Sequence, residues 1–444
     1  MSNNLKEFTV SIFKLVSTIS IGALFFIGFS FRYTSLLVLS RTLAVTAFTF
    51  GIAYILFSKI YGNMQIGEFK SKQVIYSTSL TVFFTDIMAF ISLMVMLTNP
   101  NNVWANASFR VESLDVLLLI FVLQTVLIGI TSYLGNYLYF ELFDPKKSIV
   151  IYDKDFSQDS KVQEYLSQYR KQYFLIESID VRDDNINEAL NNVDFVVFAE
   201  MDSDVRKNLV EVCYTLNIDF AFTPSVSDII EMSGVYGTYG DKPIVEVKVA
   251  ALTYNQRVVK RLMDILVSLI GITITLPFFL IFSIAIKIDD NGPVFFRQTR
   301  KTINGHEFEV FKFRSMKVDS RNISVSSDDD RITRVGKVLR IIRLDELPQL
   351  LNILKGDMSL VGPRPEMLEN IVSYEAEMPE FSYRLKVKSG LTGMAQIEGK
   401  YNTLPKDKLI LDLIYIENYS VWLDIKLLFK TAIIFFKKDS TEGF

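Results

Sequence analysis

Four long apolar runs open this chain, at residues 15–31, 36–57, 74–97 and 116–140. Each approaches or exceeds the ~18–20 residues needed to cross a bilayer as a helix. In lipid every backbone polar group must be satisfied internally, so these runs are confined to helices. The first run is not a cleavable signal, because no small-residue cleavage site follows it and further spans do. Lys59, Lys70 and Lys72 lie between the second and third runs, and Lys146 and Lys147 follow the fourth. The opposite loops carry mainly Arg32 and Arg110. By the positive-inside rule both ends of a four-span bundle, residues 1–143, face the cytoplasm. Asp86 falls inside the third run with no obvious basic partner in the membrane. A hydrogen-bonding or packing role is expected for it, with transport as the alternative.

Composition narrows the chemistry. The chain has 444 residues, one cysteine (Cys213) and one histidine (His306), with a formal net charge of -3. An internal disulfide, a cysteine-cluster metal site and a multi-histidine zinc site are excluded. The charge does not point to nucleic acid. Acid–base or nucleophilic work falls to carboxylates.

From Lys147 short apolar strands alternate with polar helices, a pattern of parallel sheets flanked by helices. Strands are expected at 148–152, 174–179, 195–199 and 219–222, and helices at 162–169, 186–190 and 205–216. The first strand runs into Tyr152-Asp153-Lys154-Asp155-Phe156 with no glycine to admit a pyrophosphate. A degenerate, cofactor-free Rossmann-like α/β domain is expected over residues 144–250, for assembly or regulation. Nucleotide sensing is the alternative.

A fifth apolar run, 265–288, contains Pro277 and has basic residues on both sides: Lys260 and Arg261 before it, Lys287, Arg297 and Arg300 after it. A straight span would export one of these clusters. A re-entrant helix broken at Pro277 keeps both in the cytoplasm. An ordinary kinked span is the alternative.

Beyond it, Arg340, Arg343, Asp345, Glu346 and Pro348 form a compact constellation ahead of Leu347, Leu350, Leu351 and Leu354. Proline suits a first helical turn, so the acid pair is expected at a helix N-terminus. Acids, arginines and a helix N-terminus suit a phosphate held by a metal ion, whereas a solvated capped helix is the plainer reading. Residues 308–313 alternate as a strand delivering Lys312 and Arg314. Arg364 lies in the rigid Gly362-Pro363-Arg364-Pro365 loop, fit for a phosphate or a salt bridge. The acidic stretch 324–330 reads as a surface loop, with a metal role for Asp328–Asp330 as the alternative. A last helix, 422–436, with Lys426, Lys430, Lys437 and Lys438, suits an anionic membrane face or the core.

The chain from about Lys260 to Phe444 resembles the bacterial sugar transferase family, the monotopic phosphoglycosyl transferases that act on polyprenyl phosphate. The resemblance rests on Gly292-Pro293-Val294, Gln298 with Arg300, Lys312-Phe313-Arg314-Ser315-Met316, Asp345-Glu346-Leu347-Pro348-Gln349, the segment from Gly356 to Pro365, and Gly390-Leu391-Thr392-Gly393. The front half resembles the large members, which initiate exopolysaccharide or capsule synthesis, by architecture only. The resemblance implies an α/β monotopic catalytic domain with a re-entrant helix over residues 251–444. It also implies transfer of a sugar-1-phosphate from a UDP-sugar to undecaprenyl phosphate at the cytoplasmic membrane, with release of UMP. Asp345 matches the family nucleophile and Glu346 the acid that helps hold Mg²⁺. Arg340 and Arg364 match arginines near the phosphates, with Lys312 and Arg314 a basic strand end nearby. A homo-oligomer is compatible with this architecture. Family members often carry Ser before the helix-breaking proline. Here that residue is Leu276, with Thr275 a candidate substitute. A metal-dependent glycosyltransferase, which would release UDP, and a non-enzymatic membrane scaffold are the rival functions.

Overall fold

A computed structural model of the chain describes residues 2–98, 111–153, 171–183, 185–249, 251–317, 331–399 and 403–435. The expected helix at 162–169, the acidic loop at 324–330, Arg110, Lys437 and Lys438 lie outside the described residues. The chain divides into two compact units, Met1–Thr223 and Pro224–Phe444.

The first unit begins with four apolar helices: α1 (Asn3–Ser30), α2 (Arg41–Tyr61), α3 (Ser71–Thr98) and α4 (Leu114–Leu142). Helix α3 packs on α2 and α4, and α4 on α1, around Phe25, Phe29, Phe90, Leu93 and Ile120. Each is long and apolar enough to cross a membrane. Asp86 is buried on α3 and accepts a long hydrogen bond from Gln124 Nε2 at 3.4 Å, in keeping with the hydrogen-bonding reading.

Four strands follow: β1 (Lys146–Tyr152), β2 (Tyr173–Asp180), β3 (Phe195–Ala199) and β4 (Asp219–Phe222). They form a parallel sheet in the order β2-β1-β3-β4. The central strands are buried on both faces, which is why they read as continuous apolar runs. Helices α5 (Ile186–Leu190) and α6 (Ser203–Leu216) connect the strands, and Cys213 of α6 is buried in the core. Asp202 caps α6, and Asn217 ends it in the left-handed conformation.

The expected domain boundary near residue 250 shifts. Helix α7 (Val226–Met232), closed by a Ser225/Asp228 capping box, sends Ile229 into the core of the second unit. Its amphipathic pattern gives no sign of which core it joins. The hairpin of β5 (Val235–Tyr239) and β6 (Lys242–Glu246) comes next.

Helix α8 runs without interruption over 37 residues, Tyr254–Asp290, roughly 55 Å at 1.5 Å per residue. The expected break at Pro277 is not a break in helical structure. The proline removes one backbone bond, but the helix resumes on both sides. Thr275 Oγ1 donates to the Gly271 carbonyl at 2.6 Å one turn earlier, a back-bond that favours bending. One face of α8 meets the rest of the second unit along its whole length. Lys260 pairs with Asp424, Arg261 bonds the carbonyls of Ile353 and Leu354, and Asp264 bonds Ser359 and Leu360. Further along, Phe279 and Phe282 pack on Phe313, Ile286 joins Leu339, and Asp289 accepts from the Val335 amide. The other face exposes Leu262, Leu266, Ile270, Ile274, Leu280 and Ile284. Lys260 and Arg261, taken from sequence as a basic flank, are thus engaged inside the fold.

The rest of the unit is built from the antiparallel pair β7 (Phe295–Lys301) and β8 (Glu307–Phe313), then α9 (Arg334–Ile341) and α10 (Gln349–Lys355). Strand β9 (Ser359–Val361) pairs in parallel with β10 (Gly390–Thr392), flanked by α11 (Leu368–Glu377), α12 (Met394–Glu398), α13 (Pro405–Glu417) and α14 (Val421–Phe435). Leu350, Ile353, Leu360, Val361, Leu409, Leu413 and Ile416 form its core.

Candidate active site

The site is assembled where three chain segments converge. Arg343 takes the left-handed conformation at φ 52° and turns the chain out of α9. A single 3₁₀ turn, Leu344–Glu346, follows. Its leucine and Leu347 pack on the Phe313, Ile286 and Leu339 cluster, leaving Asp345 and Glu346 on the other side of the turn. The acid pair therefore precedes α10 rather than starting it. Pro348 is the N-cap, and α10 begins at Gln349. Leu350 and Ile353 are the buried positions, while Leu351 is exposed. The 3₁₀ turn accounts for the difference, because it resets the helical phase that the leucine spacing implied.

Strand β8 supplies Lys312. Its Nζ donates to Glu346 Oε1 at 2.7 Å. Arg364 Nη2 donates to the same oxygen at 2.8 Å from the other side. Burial alone would raise the Glu346 carboxyl, but the charges and hydrogen bonds of Arg364 and Lys312 outweigh it and hold it well below the carboxylate range. Asp345 moves the opposite way. Burial raises it, the Lys312 charge pulls it down, the Glu346 charge raises it again, and the net position is above the ordinary value. Arg364 stays firmly protonated, held first by the Glu346 charge. Two adjacent carboxyls pushed apart in this way mark a division of labour between them. Arg340 also lies close enough for its charge to lower Asp345, and its Nε donates to Ser315 Oγ at 2.9 Å.

The loop carrying Arg364 is fixed by backbone touching backbone. A Cβ on Gly362 would stand 2.3 Å from the Lys388 carbonyl oxygen, and one on Gly393 2.2 Å from the Gly362 carbonyl oxygen. Only glycine permits this approach. The same necessity places Gly336 against the Ser315 carbonyl, at 2.1 Å from a would-be Cβ. A small recess, with room for about one water, borders Arg364 and is lined also by Lys301, Glu366, Arg384 and Ser389.

Arg314 does not join this cluster. It is buried and ion-paired with Asp290 at the end of α8. Strand alternation does not foretell this, because residues two apart share a face; Arg314 lies just past the end of β8, where Asp290 pairs with it. Arg300 has a clearer bearing on the site, although sequence reasoning gave it only a place in a basic flank and in a family motif. It is buried on β7, with Nη2 bonded to Gln298 and Nη1 donating to the Pro365 carbonyl at 3.2 Å. Burial, and then repulsion from Arg364, lower it to about 10, so it remains cationic at neutral pH. The available signal was strand period: Gln298 and Arg300 share the inward face of β7.

Among the described residues no group of three or more His, Cys, Asp or Glu side chains is arranged to hold a metal ion alone. The donor set present, two neighbouring carboxylates with no nitrogen or sulfur donor, fits Mg²⁺. That ion uses one or two carboxylates and takes its remaining ligands from water and substrate phosphates. Both cations bond Oε1 of Glu346, and among the described residues Oε2 accepts no hydrogen bond.

Residues 255–438, which contain every side chain of this cluster, match the family model for bacterial sugar transferase. The exopolysaccharide production protein PSS of Rhizobium leguminosarum bv. phaseoli is 39% identical over 188 residues, which cover 40% of this chain and 94% of that protein. The chain belongs to the bacterial sugar transferase family. A UDP-glucose:undecaprenyl-phosphate glucose-1-phosphate transferase of Klebsiella pneumoniae is 38% identical over 257 residues, 56% of this chain and 54% of that protein. A UDP-N-acetylgalactosamine-undecaprenyl-phosphate N-acetylgalactosaminephosphotransferase of Aeromonas hydrophila is 43% identical over 179 residues, 39% of this chain and 42% of that protein. Against these two sugar transferases the chain spans about half of each relative's length. The family-model match lies within the second unit, where the acid pair and its cations lie.

Proposed function

We propose that this chain transfers a sugar-1-phosphate from a UDP-sugar to undecaprenyl phosphate, releasing UMP, as a first membrane step of exopolysaccharide or capsule synthesis. The observation that carries the proposal is the split acid pair. Glu346 is locked as an anion between Lys312 and Arg364, while Asp345 beside it makes no side-chain hydrogen bond among the described residues. A carboxylate in that position suits covalent catalysis. The Asp345 carboxylate attacks the sugar-linked phosphorus, the bond from that phosphorus to the nucleotide oxygen breaks, and UMP leaves. The acceptor phosphate then attacks the same phosphorus and frees the carboxylate. Arg364, Lys312 and Arg340 hold charge on the phosphoryl oxygens in both displacements. Glu346, with Asp345, would hold Mg²⁺, which supplies neutralisation of phosphate charge when bound.

The same reading takes the four N-terminal helices as a transmembrane bundle and the parallel sheet as a Rossmann-like domain without a dinucleotide. It takes α8 as a re-entrant helix that keeps the catalytic unit on the cytoplasmic face. The support for re-entry is that both ends of α8 bond one compact unit, Lys260 to Asp424 and Asp290 to Arg314. A spanning helix would have its two ends on opposite sides of the bilayer. In a Cys213→Ser background, Asn255→Cys and Asn291→Cys should both resist a membrane-impermeant thiol reagent in intact cells. External labelling of Asn291→Cys would refute re-entry. The function itself is tested by a donor screen with purified protein, polyprenyl phosphate and Mg²⁺. Nucleoside monophosphate as product supports the proposal. Nucleoside diphosphate would indicate a glycosyltransferase, and no turnover with any donor would favour a scaffold.

A further inference from the structure

In its first half, the face of α8 that meets the protein carries an acid, Asp264, buried to 2% exposure. Its Oδ1 accepts two hydrogen bonds, from Ser359 Oγ at 3.0 Å and from the Leu360 amide at 2.9 Å. Both donors belong to β9, and β9 runs straight into Gly362-Pro363-Arg364-Pro365. One turn earlier, Arg261 donates to the carbonyls of Ile353 and Leu354 at 2.6 and 2.7 Å, at the end of α10. Helix α10 is the element that follows the acid pair. Two side chains three residues apart on α8 thus grip the two segments that must meet, the one bearing Glu346 and the one bearing Arg364. A buried carboxylate oxygen that accepts from a backbone amide fixes a strand in register, because leaving that amide unpaired is costly.

The geometry points to Asp264 as a positioning residue: it sets the height of β9 on α8, and through it the placement of the Arg364 guanidinium against Glu346. It touches no substrate. This inference rests on the proposed function only for the role of Arg364 at the nucleotide phosphate. The consequence is a link between the membrane-facing helix and the phosphate loop, since one residue on α8 holds the base of that loop.

The test uses the full chain in lipid nanodiscs and reads two quantities, amide hydrogen exchange and UMP binding by calorimetry. Asp264→Ala should deprotect the peptide covering residues 359–366 while the α13 and α6 peptides keep their protection. It should weaken UMP binding roughly tenfold, the order expected for losing one buried hydrogen bond to a charged group. Asp264→Asn, which keeps an acceptor oxygen for Ser359 and Leu360, should recover most of both. The deciding comparison is a double-mutant cycle. If Asp264 acts through Arg364, then Asp264→Ala has no further effect on UMP affinity in an Arg364→Ala background. Independent, multiplying losses would overturn the inference, and so would exchange that rises uniformly across the second unit. If Arg364→Ala alone leaves UMP affinity unchanged, the phosphate role of Arg364 fails. The exchange of residues 359–366 then still decides whether Asp264 positions the loop.

Discussion

Substituting Gly362 by alanine should damage catalysis more than stability. The added Cβ would stand 2.3 Å from the Lys388 carbonyl oxygen, where real Cβ contacts need 3.0 to 3.4 Å. Something must yield by about 0.7 to 1.1 Å, a displacement of the kind that overpacking forces on a tight core. Lys388 is poorly placed to yield. The next residue, Ser389, is bonded through its amide to Thr302, through its hydroxyl to Lys301 and through its carbonyl to the Ser359 amide. The displacement therefore falls on the loop, whose guanidinium two residues on meets Glu346 at 2.8 Å. Overpacking of this kind costs ~1–3 kcal/mol in stability. Misplacement of a binding group by ~1 Å costs on the order of 10²-fold in rate. The assay is initial-rate UMP release at subsaturating donor, with thermal unfolding of the same preparation. Gly237→Ala is the control, because its Cβ would meet only Ile244, at an ordinary 3.9 Å. Near-parental turnover and unfolding by Gly362→Ala would refute the argument that backbone contact positions Arg364.

Asp345→Asn should abolish transfer with the fold retained, and incubation with donor alone should label the parent protein but not the variant; normal turnover by Asp345→Asn would end its assignment as nucleophile. Because burial holds the Asp345 carboxyl above the ordinary aspartate value of about 3.9, activity that needs its anion should fall on acidification at a higher pH than a free aspartate would set. A rate profile flat down to that ordinary value would contradict this. Glu346 is held low, so its ion pairs contribute stability above the unfolded-state pKa and lose it only as pH falls through the depressed folded value. Acid unfolding of Glu346→Gln should accordingly be less steep than that of the parent. A chain starting at Pro224 should keep transferase activity, whereas one starting at Tyr254 should be less stable, because it lacks Ile229 in the core. Equal unfolding temperatures for the two would remove α7 from the catalytic unit.

Much of this arrangement was legible in the chain because it is local. The parallel strands show as apolar runs, and β8 shows as an alternation that delivers Lys312. The loop at Gly362 shows as a rigid run of glycine and prolines around Arg364. What was not legible depends on distant contacts. Arg314 looks like a site residue until Asp290 is seen beside it. Arg343 gives no hint of its left-handed conformation, so the 3₁₀ turn that separates Asp345 from α10 is invisible in the leucine spacing. Lys260 and Arg261 satisfy the positive-inside rule equally well as solvated flanks or as buried partners. Only the fold distinguishes the two. Pro277 is a strong local signal for a break, yet α8 continues as a helix through it.

The two-faced character of α8 also decides how this chain can be engineered. Deleting the helix to obtain a water-soluble catalyst would remove the partner of Asp424, the clamp on Ile353 and Leu354, and the side chains that cover Phe313 and Leu339. The helix is a wall of the second unit's core as much as a candidate membrane element. A soluble version must instead keep its backbone and inner stripe and repaint only the outer one, at Leu262, Leu266, Ile270, Ile274, Leu280 and Ile284.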